Sequence, residues 1–484
     1  MSHQEKKSKL VTEIVPNHMT LGQAADQLFP ARKFQDLQVR KGSQWTARML
    51  VVVALFWTWS DRSGLKERFE WAIRVAGKIF SGLVHPGRTY QGFIKQLQKW
   101  ESELKPICIT ELRTVMRRDL SGQWYIARYV VFACDGSRVE LPRTRSNEAA
   151  YSPKKATKKN RKGGKKNRRG KKQCITRPKR QSEQSIAKKT NSPQMWLTMF
   201  WHVGTGLPWA WRTGPSDSSE RSHLQEMLPE LPENSLITAD AGFVGYDLWR
   251  SIHDSGRSFV IRIGANVRLL KKLGCAREYD HIVYLWPSAV AKKHQEPLKL
   301  RIVWVHNGKH RMCLATNVLS KSRLSDREIV RIYKARWGVE LFFRTFKQTF
   351  GRRKLRSHAA ENARLELNWS LIGLWSICLL AQRTLAESGR DPCRLSAAAA
   401  IKAVQCTLRD YRVRPEYPEE VLWSMLRVAL LDDYKRSSSK TSRDYPRKKV
   451  RQRTGVPKIL VASRAQRLAV RELTEKQHEF QLTA

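Results

Sequence analysis

The sequence lacks the marks of a protein stabilised by disulfides or by zinc. Its 484 residues include eight cysteines, scattered along the chain with no Cys-x-x-Cys pair and no histidine at zinc-binding spacing. Disulfide frameworks and structural zinc sites are both recognised by regular cysteine spacing. The sequence therefore predicts free thiols in a reducing interior.

The sequence also lacks a hydrophobic stretch long enough to cross a membrane. The longest apolar runs, Met49–Trp59 and Leu367–Ala381, both contain tryptophan. They are shorter than the roughly 20 residues that a bilayer requires, so we expect both to be buried core helices. The N-terminal MSHQEKKSKL contains no apolar stretch. The sequence thus predicts neither a secretory signal nor contact with a membrane.

Acidic residues are scarce relative to basic ones. The chain has 43 Asp and Glu against 91 Lys and Arg, which gives a formal net charge of +48. Such an imbalance favours a polyanionic partner, most often nucleic acid, with an anionic membrane surface as the alternative. Hydrophobic residues still make up 41% of the chain, so the sequence predicts a folded protein.

One segment is far more basic than the rest. Residues 153–182 contain 15 Lys or Arg and no acid. Because a stretch of this composition cannot bury a core, we predict a disordered loop at 153–190, inserted in a domain. Such a loop can neutralise DNA phosphates without reading sequence, although a surface run with no dedicated role is the alternative.

The stretch Tyr333–Lys347, YKARWGVELFFRTFK, predicts an amphipathic helix with two stripes. At about 100° per residue, Tyr333, Arg336, Glu340 and Lys347 fall within an arc of about 60° and along about 21 Å. An ordinary solvated ion pair between Arg336 and Glu340 is the alternative interpretation. The second stripe is apolar and is expected to face the core. Its members are Ile332, Ala335, Val339, Phe343, Phe346 and Phe350.

Two aspartates each follow a predicted buried strand and precede a glycine. The strand Tyr125–Cys134 runs into Asp135-Gly136, and the strand Ser235–Ala239 runs into Asp240-Ala241-Gly242. At the end of a buried strand a carboxylate can emerge from the core into a cleft, whereas a single Asp-Gly is more often a turn.

The elements around these aspartates are predicted in a definite order. After the first strand come a hairpin, a helix, the second Asp-bearing strand, a helix and a further strand. Their ranges are Met195–Val203 with Leu207–Arg212, Ser219–Met227, Ser235–Ala239, Tyr246–Asp254 and Phe259–Ile263. Asn307-Gly308 predicts another hairpin within a mostly β segment at 264–317. This order, with a later helix that carries Glu340, is that of an α/β fold with a ribonuclease-H-like mixed sheet.

Three converging carboxylates would suit metal-dependent phosphoryl transfer. Mg²⁺ prefers oxygen ligands, and two such ions about 3.5–4 Å apart activate an attacking hydroxyl and stabilise the leaving oxygen. Because acids alone repel DNA, cations such as Arg336 and Lys347 are needed beside Glu340. Tyr333 can donate a hydrogen bond to a phosphate.

The spacing Tyr-x2-Arg-x3-Glu-x6-Lys resembles the signature of DDE transposases of the IS-four-like group of bacterial insertion sequences. The resemblance extends over about 125–351. It is carried by Asp135-Gly136, Asp240-Ala241-Gly242-Phe243, Leu314–Ser320 and Arg331–Lys347. The lysine-rich loop at 153–182 departs from the compact core of that group, which puts in doubt only the strand boundaries between the two aspartates.

The resemblance implies a role for each charged residue. Asp135, Asp240 and Glu340 would be the catalytic residues and the ligands of two Mg²⁺ ions, for which Mn²⁺ would substitute. Tyr333, Arg336 and Lys347 would contact DNA phosphates near the transposon end.

The resemblance also implies a role for a tryptophan. In relatives a tryptophan from the β-rich segment stacks on a base that is flipped out of the duplex. Trp286 and Trp304 are the candidates, with a core position as the alternative for each. Trp337, beside the charged stripe, is a further candidate.

The implied organisation has five parts. We expect an N-terminal helical region at 1–122, which binds DNA ends or is a structural bundle, and the first part of the ribonuclease-H-like core at 123–263. A β-rich insertion at 264–317 precedes the catalytic helix that completes the core at 318–360. A C-terminal helical region with a basic tail occupies 361–484.

The resulting hypothesis is a cut-and-paste DNA transposase, which nicks at the ends of its element and joins the freed 3′-hydroxyl to target DNA. It would act as a homodimer on two terminal inverted repeats, in the bacterial cytoplasm and associated with the nucleoid. The alternatives are a catalytically inactive DNA-binding relative and a ribonuclease-H-like nuclease without strand transfer. A basic structural or ribosome-associated protein would fit the charge but not the three acids.

Overall fold

The computed structural model covers the larger part of the chain. The described residues are 20–37, 45–80, 87, 89–153, 192–274, 281–306, 311–410, 418–431 and 455–483. Except for residue 153, the predicted loop at 153–190 lies outside these ranges. The predicted turn Asn307-Gly308 and residues 432–454 of the basic tail also lie outside them.

Within the described residues, ten strands hydrogen-bond into one mixed sheet. They are β1 (Val130–Glu140), β2 (Gln194–His202), β3 (Leu207–Gly214), β4 (Ser235–Ala239), β5 (Ser258–Ile263), β6 (Arg268–Lys271), β7 (Ile282–Leu285), β8 (Leu298–His306), β9 (Arg311–Thr316) and β10 (Lys458–Val461). Their spatial order is β10-β6-β7-β8-β9-β5-β4-β1-β2-β3.

The helices are numbered along the chain. They are α1 (Leu21–Leu28), α2 (Ala47–Trp59), α3 (Leu65–Ile79), α4 (Tyr90–Asp119), α5 (Arg145–Tyr151), α6 (Glu220–Met227), α7 (Tyr246–Asp254), α8 (Ser288–Ala291), α9 (Asp326–Ala335), α10 (Trp337–Arg344), α11 (Ala360–Glu387), α12 (Ala397–Asp410), α13 (Pro418–Arg427) and α14 (Arg464–Thr483). Short 3-10 turns and one π-helical turn connect some of them.

Five neighbouring strands have the predicted ribonuclease-H-like arrangement. β2 is antiparallel to both β1 and β3, whereas β4 is parallel to both β1 and β5. The predicted hairpin of β2 and β3 is confirmed, and α7 spans the predicted residues. The mixed α/β architecture expected from the sequence is therefore confirmed.

The structure corrects the prediction for the first strand. β1 begins at Val130 rather than Tyr125 and continues through Asp135 to Glu140. Its pairing with β2 continues as far as the Glu140–Gln194 pair, so the sheet supports the extended backbone well beyond the buried segment. Asp135 therefore lies within a strand and not at its end.

The β-rich segment at 264–317 extends the same sheet. β9 pairs antiparallel with β5, and β8 pairs antiparallel with β9. β7 and β6 follow outwards, and β10 from the C-terminal region pairs parallel with β6 at the sheet edge. The segment predicted as an insertion is thus continuous with the core through backbone hydrogen bonds.

The N-terminal and C-terminal helices pack against each other. Every residue of α2 except Arg48 is buried, and α2 packs on α3 and α11. In the predicted helical region, residues 90–119 form one long helix, α4, which contains Pro106. α11 is long and apolar enough to cross a membrane, but its apolar window is wholly buried inside the protein. Both long apolar runs are therefore core helices, as expected.

A buried arginine connects this helical block to the end of the predicted catalytic helix. Arg352 donates to the Thr58 carbonyl (2.7 Å), the Phe350 carbonyl (2.9 Å) and Ser370 Oγ (3.0 Å). Burial lowers the pKa of Arg352 to about 9, so the group is still a cation at neutral pH. Thr58 lies on α2 and Ser370 on α11, so both helices fix the chain just after the charged stripe.

Candidate active site

Asp135 reaches the site because β1 extends beyond the end of its neighbour β4. The pairing of β1 with β4 stops at Ala133 and Thr238, whereas β1 continues to Glu140. Beyond that point this edge of β1 has no partner strand until the isolated bridge between Glu140 and Lys354, and we call the gap the notch. Asp135 is half-buried beside this notch.

Asp240 enters the same notch from the end of β4. All five residues of β4 are buried, and Asp240 is the first residue after them, as predicted. Its Oδ1 accepts a hydrogen bond from the Gly242 amide (2.7 Å), which caps the short 3-10 turn Ala241–Phe243. The two predicted aspartates therefore lie at neighbouring positions of parallel strands.

Glu340 comes from a helix that is less regular than predicted. Its residues form α9 and α10, separated at Arg336, followed by a π-helical turn at Thr345–Thr349. Arg336 keeps helical dihedral angles (φ −48°, ψ −33°), so the axis continues through it. The apolar stripe faces the core as predicted, with Ala335 half-buried and its other five members buried.

The charged stripe forms a ridge, defined here as Tyr333, Arg336, Glu340 and Lys347. The buried Arg336 makes an ion pair with Glu340 (Nη2 to Oε1, 3.2 Å), and its guanidinium lies 5.5 Å from the centre of the Tyr333 ring. Lys347 Nζ donates to Ser137 Oγ on β1 (2.6 Å). The ridge is thus internally paired and joined to the strand that carries Asp135.

The ridge and β1 enclose a cavity of about 430 Å³. Asp135, Glu340 and Lys347 are among its lining residues, together with Gly136, Ser137, Phe343, Arg344 and Gln348. Burial raises the pKa of Asp135 to about 6. The Gly136 amide and Arg336 oppose this rise, whereas the nearby carboxylates of Asp240 and Glu340 add to it. The structure thus brings the three predicted acids into one electrostatic environment.

A fourth acid in the site was missed by the sequence analysis. Glu220 is the first residue of α6, and burial raises its pKa to about 7, with further contributions from Asp135 and Asp240. No motif marks it in the sequence, because an acid at a helix N-terminus is a common capping preference. We call Asp135, Asp240 and Glu220 the acidic floor.

The three candidate tryptophans differ in exposure. Trp286 is 5% exposed, and its Nε1 donates to the Gln295 carbonyl (2.8 Å), so it is a core residue and is not available for stacking in this structure. Trp304 is half-buried, with the Arg311 guanidinium 3.9 Å from its ring centre. Trp337 is 54% exposed on the ridge helix.

The donor set fits a hard divalent cation. Carboxylate oxygens are the preferred ligands of such ions, and the pKa values of Asp135 and Glu220 are raised by burial first and by neighbouring carboxylates second. In the described ranges no three His, Cys, Asp or Glu side chains already stand in a ligating geometry. In this structure Glu340 is paired with Arg336, and Asp240 accepts a hydrogen bond from the Gly242 amide.

Comparison with known proteins gives three findings. Residues 126–375 match the model of the family described as the transposase DDE domain. Over 207 residues the chain is 28% identical to the transposase InsG for insertion sequence element IS4 of Escherichia coli strain K12. That match spans 40% of this chain and 46% of the relative, less than half the length of either. A cryo-EM structure of the piggyBac transposase synaptic complex with hairpin DNA aligns over 87% of each chain with 11% identity and a TM-score of 0.39.

The family match covers the whole site. It begins before β1 and ends within α11, so it includes the acidic floor, the ridge and the β-rich segment. DDE transposases generally use divalent metal ions, in agreement with the carboxylate donors found here. Because the matched region is more than half of the chain, the protein belongs to the transposase DDE domain family.

Proposed function

We propose that the protein is a DNA transposase that moves an insertion sequence by cut and paste. The observation that carries this proposal is the cavity lined by Asp135, Glu340 and Lys347, which unites acids and a cation from distant parts of the chain. Family membership and the similarity to an insertion-sequence transposase support it. The formal net charge of +48 favours a polyanionic substrate.

The acids would act together with divalent cations. Asp135, Asp240 and Glu340 would hold Mg²⁺, with Mn²⁺ as a substitute, because all three offer carboxylate oxygens near one another. When bound, two such ions would activate a water or a 3′-hydroxyl and stabilise the leaving oxygen of the cleaved strand.

The ridge would bind the DNA backbone and release Glu340. A phosphate that approaches Arg336 competes with Glu340 for the guanidinium, since both anions accept from the same donor. Breaking that ion pair frees the Glu340 carboxylate beside the cavity. Lys347 would neutralise a second phosphate. Burial raises the pKa of Tyr333, so its hydroxyl remains a hydrogen-bond donor to phosphate.

The remaining partners follow from the reaction. Cutting an element at both ends requires two terminal inverted repeats, and we infer a homodimer that holds one repeat per subunit and later binds target DNA. The N-terminal region would contribute to binding the ends, and Trp337 would stack on an exposed base. Such a protein would work in the cytoplasm, at the bacterial nucleoid.

Cleavage of DNA by alanine variants tests the proposal. We expect Asp135→Ala, Asp240→Ala and Glu340→Ala to abolish Mg²⁺-dependent cutting of a fragment that carries the terminal repeats, with binding of that fragment retained. Asp247→Ala, which removes an exposed carboxylate from α7, is the matched control and should cut normally. An Asp135→Ala protein that still cuts would refute the assignment.

The alternatives give different products. A catalytically inactive relative would bind the terminal repeats but cut nothing even as the unmodified protein. A nuclease without strand transfer would cut the repeats yet leave no joined molecules when target DNA is supplied. Sequencing the junctions of joined products distinguishes both from a transposase, because strand transfer leaves the element flanked by new target sequence.

A further inference from the structure

We propose that Glu220 is a fourth carboxylate of the cation site and contributes a ligand oxygen, directly or through bound water. This inference rests on the proposed function, since it assigns Glu220 to the same divalent cations as Asp135 and Asp240. Glu220 would approach them from the α6 side of β1, whereas Glu340 approaches from the ridge side.

Strand geometry places Glu220 opposite the ridge. Side chains alternate between the two faces along a strand. Ser137 accepts from Lys347 and therefore points to the ridge face. Gly136 would point to the other face, where a Cβ added to it would lie 2.8 Å from Glu220 Cδ and would overlap the carboxylate. Asp135 shares the ridge face with Ser137, so Glu220 lies on the opposite face of β1 and can reach Asp135 only through the notch left by the end of β4.

The glycines of both aspartate motifs make room for carboxylates. A Cβ on Gly136 would collide with Glu220, as described above. A Cβ on Gly242 would lie 2.9 Å from Asp240 Oδ1 and 3.9 Å from Glu220 Oε2. Only Gly136 makes room for Glu220, because 3.9 Å is an ordinary contact distance, but Glu220 lies between the Asp135-Gly136 and Asp240-Ala241-Gly242 motifs.

The charge of Glu220 is offset only from a distance, by Arg138 and Arg221. Its carboxylate makes no hydrogen bond and no ion pair with any residue in the described part of the chain. Arg138 and Arg221 both interact with other groups. The Arg138 guanidinium lies 4.6 Å from the centre of the Trp196 ring, and Arg221 Nε donates to the Gly242 carbonyl (2.8 Å). A buried structural carboxylate is usually held by an ion pair or a hydrogen bond, whereas Glu220 is stabilised by the N-terminus of α6 and by two more distant arginines. This arrangement leaves its oxygens available to a bound cation.

Binding of Mn²⁺ alone to the full-length, EDTA-treated protein tests the inference without DNA or turnover. Electron paramagnetic resonance of free Mn²⁺ gives the dissociation constant. We expect Glu220→Gln to weaken binding by about tenfold or more, as loss of ligand-sphere groups does in other metal sites. Glu226→Gln, an exposed glutamate on the same helix, should stay within about twofold of the unmodified protein.

A second variant moves the carboxylate without removing it. Gly136→Ala would displace the flexible end of Glu220 while all four acids remain, so we expect the same loss of Mn²⁺ affinity in a folded protein. Circular dichroism and the melting temperature report folding for each variant. Normal Mn²⁺ affinity of the folded Glu220→Gln variant would overturn the inference.

A reference variant separates this inference from the proposed function. Asp135→Asn should weaken Mn²⁺ binding if the acids hold the cation at all. If Asp135→Asn weakens binding and Glu220→Gln does not, Glu220 is no ligand and the proposed function stands. If neither variant weakens binding, both the inference and the proposed cation site fail.

Discussion

The ridge and the acidic floor face the same notch with opposite electrostatics. On the ridge, Glu340 is paired with Arg336, and Lys347 donates to Ser137. On the floor, burial and mutual repulsion raise the pKa of Asp135 to about 6 and that of Glu220 to about 7. The charges of the ridge are paired within the ridge, whereas those of the floor are only partly offset, by Arg336, Arg138 and Arg221.

This difference assigns separate tasks to the two surfaces. A balanced ridge can exchange an internal ion pair for a contact with a DNA phosphate at little net electrostatic cost. An unbalanced floor attracts divalent cations, because neutralising buried carboxylates relieves their repulsion. Variants that change one surface and spare the other should therefore have distinct effects.

The largest effect is expected from Arg336→Met. It removes the cation that positions Glu340 and that would bind a phosphate, so we expect cleavage to fall about 100-fold, as it does when one positioned donor is lost. Arg331→Met, an exposed cation on α9, is the control and should cut normally. Single-turnover cleavage rates measure the difference. A loss of less than about threefold for Arg336→Met would contradict the role of the ridge.

Exposure distinguishes Trp337, at 54%, from Trp286, at 5%. Trp337→Ala should weaken the capture of a flipped 2-aminopurine at the element end by about 1–3 kcal/mol, with little change in stability because the side chain is 54% exposed. Trp286→Ala should instead lower the free energy of unfolding by about 3–5 kcal/mol, since it empties a core position. Leu341→Ala, also exposed on α10, is the control for the fluorescence assay. Unchanged fluorescence with Trp337→Ala would exclude stacking by this residue.

In the absence of metal, variants of the floor and of the ridge should change the free energy of unfolding in opposite directions. At pH 8 in EDTA, Asp135→Asn removes a carboxylate whose ionised form is disfavoured by burial, so we expect the free energy of unfolding to rise by about 1–2 kcal/mol. Glu340→Gln removes a favourable pair with Arg336 and should lower it by up to about 1 kcal/mol. Chemical denaturation measures both. Destabilisation by Asp135→Asn would show that the floor is not electrostatically strained.

The smallest effect is expected from Lys347→Ala. Loss of one phosphate contact should weaken binding of the element end and reduce the slope of log affinity against log salt by about one. Lys334→Ala, an exposed lysine on α9, provides the comparison and should leave the slope unchanged. Filter binding at several salt concentrations gives the slopes. Equal slopes for the Lys347 variant and the unmodified protein would rule out that contact.

Local sequence patterns were sufficient to predict several individual helices and strands. The hairpin β2–β3, the helix α7 and the position of Asp240 after β4 all follow from alternation, helical period and turn residues. The prediction for β1 was wrong at both ends, because pairing with β2 sustains extended backbone beyond the apolar run. Helix α4 continues past a proline for a similar reason: tertiary packing buries its apolar face on both sides of Pro106.

The sequence by itself determined the ridge, since four residues on one helical stretch have their relative positions set by the helical repeat. It also indicated the two aspartates, since each follows a buried strand. Only the tertiary structure placed Glu220 near them, because its position depends on how α6 packs against β1 and on the absence of a side chain at Gly136. Convergence of this kind depends on contacts between distant segments, which no local sequence period encodes.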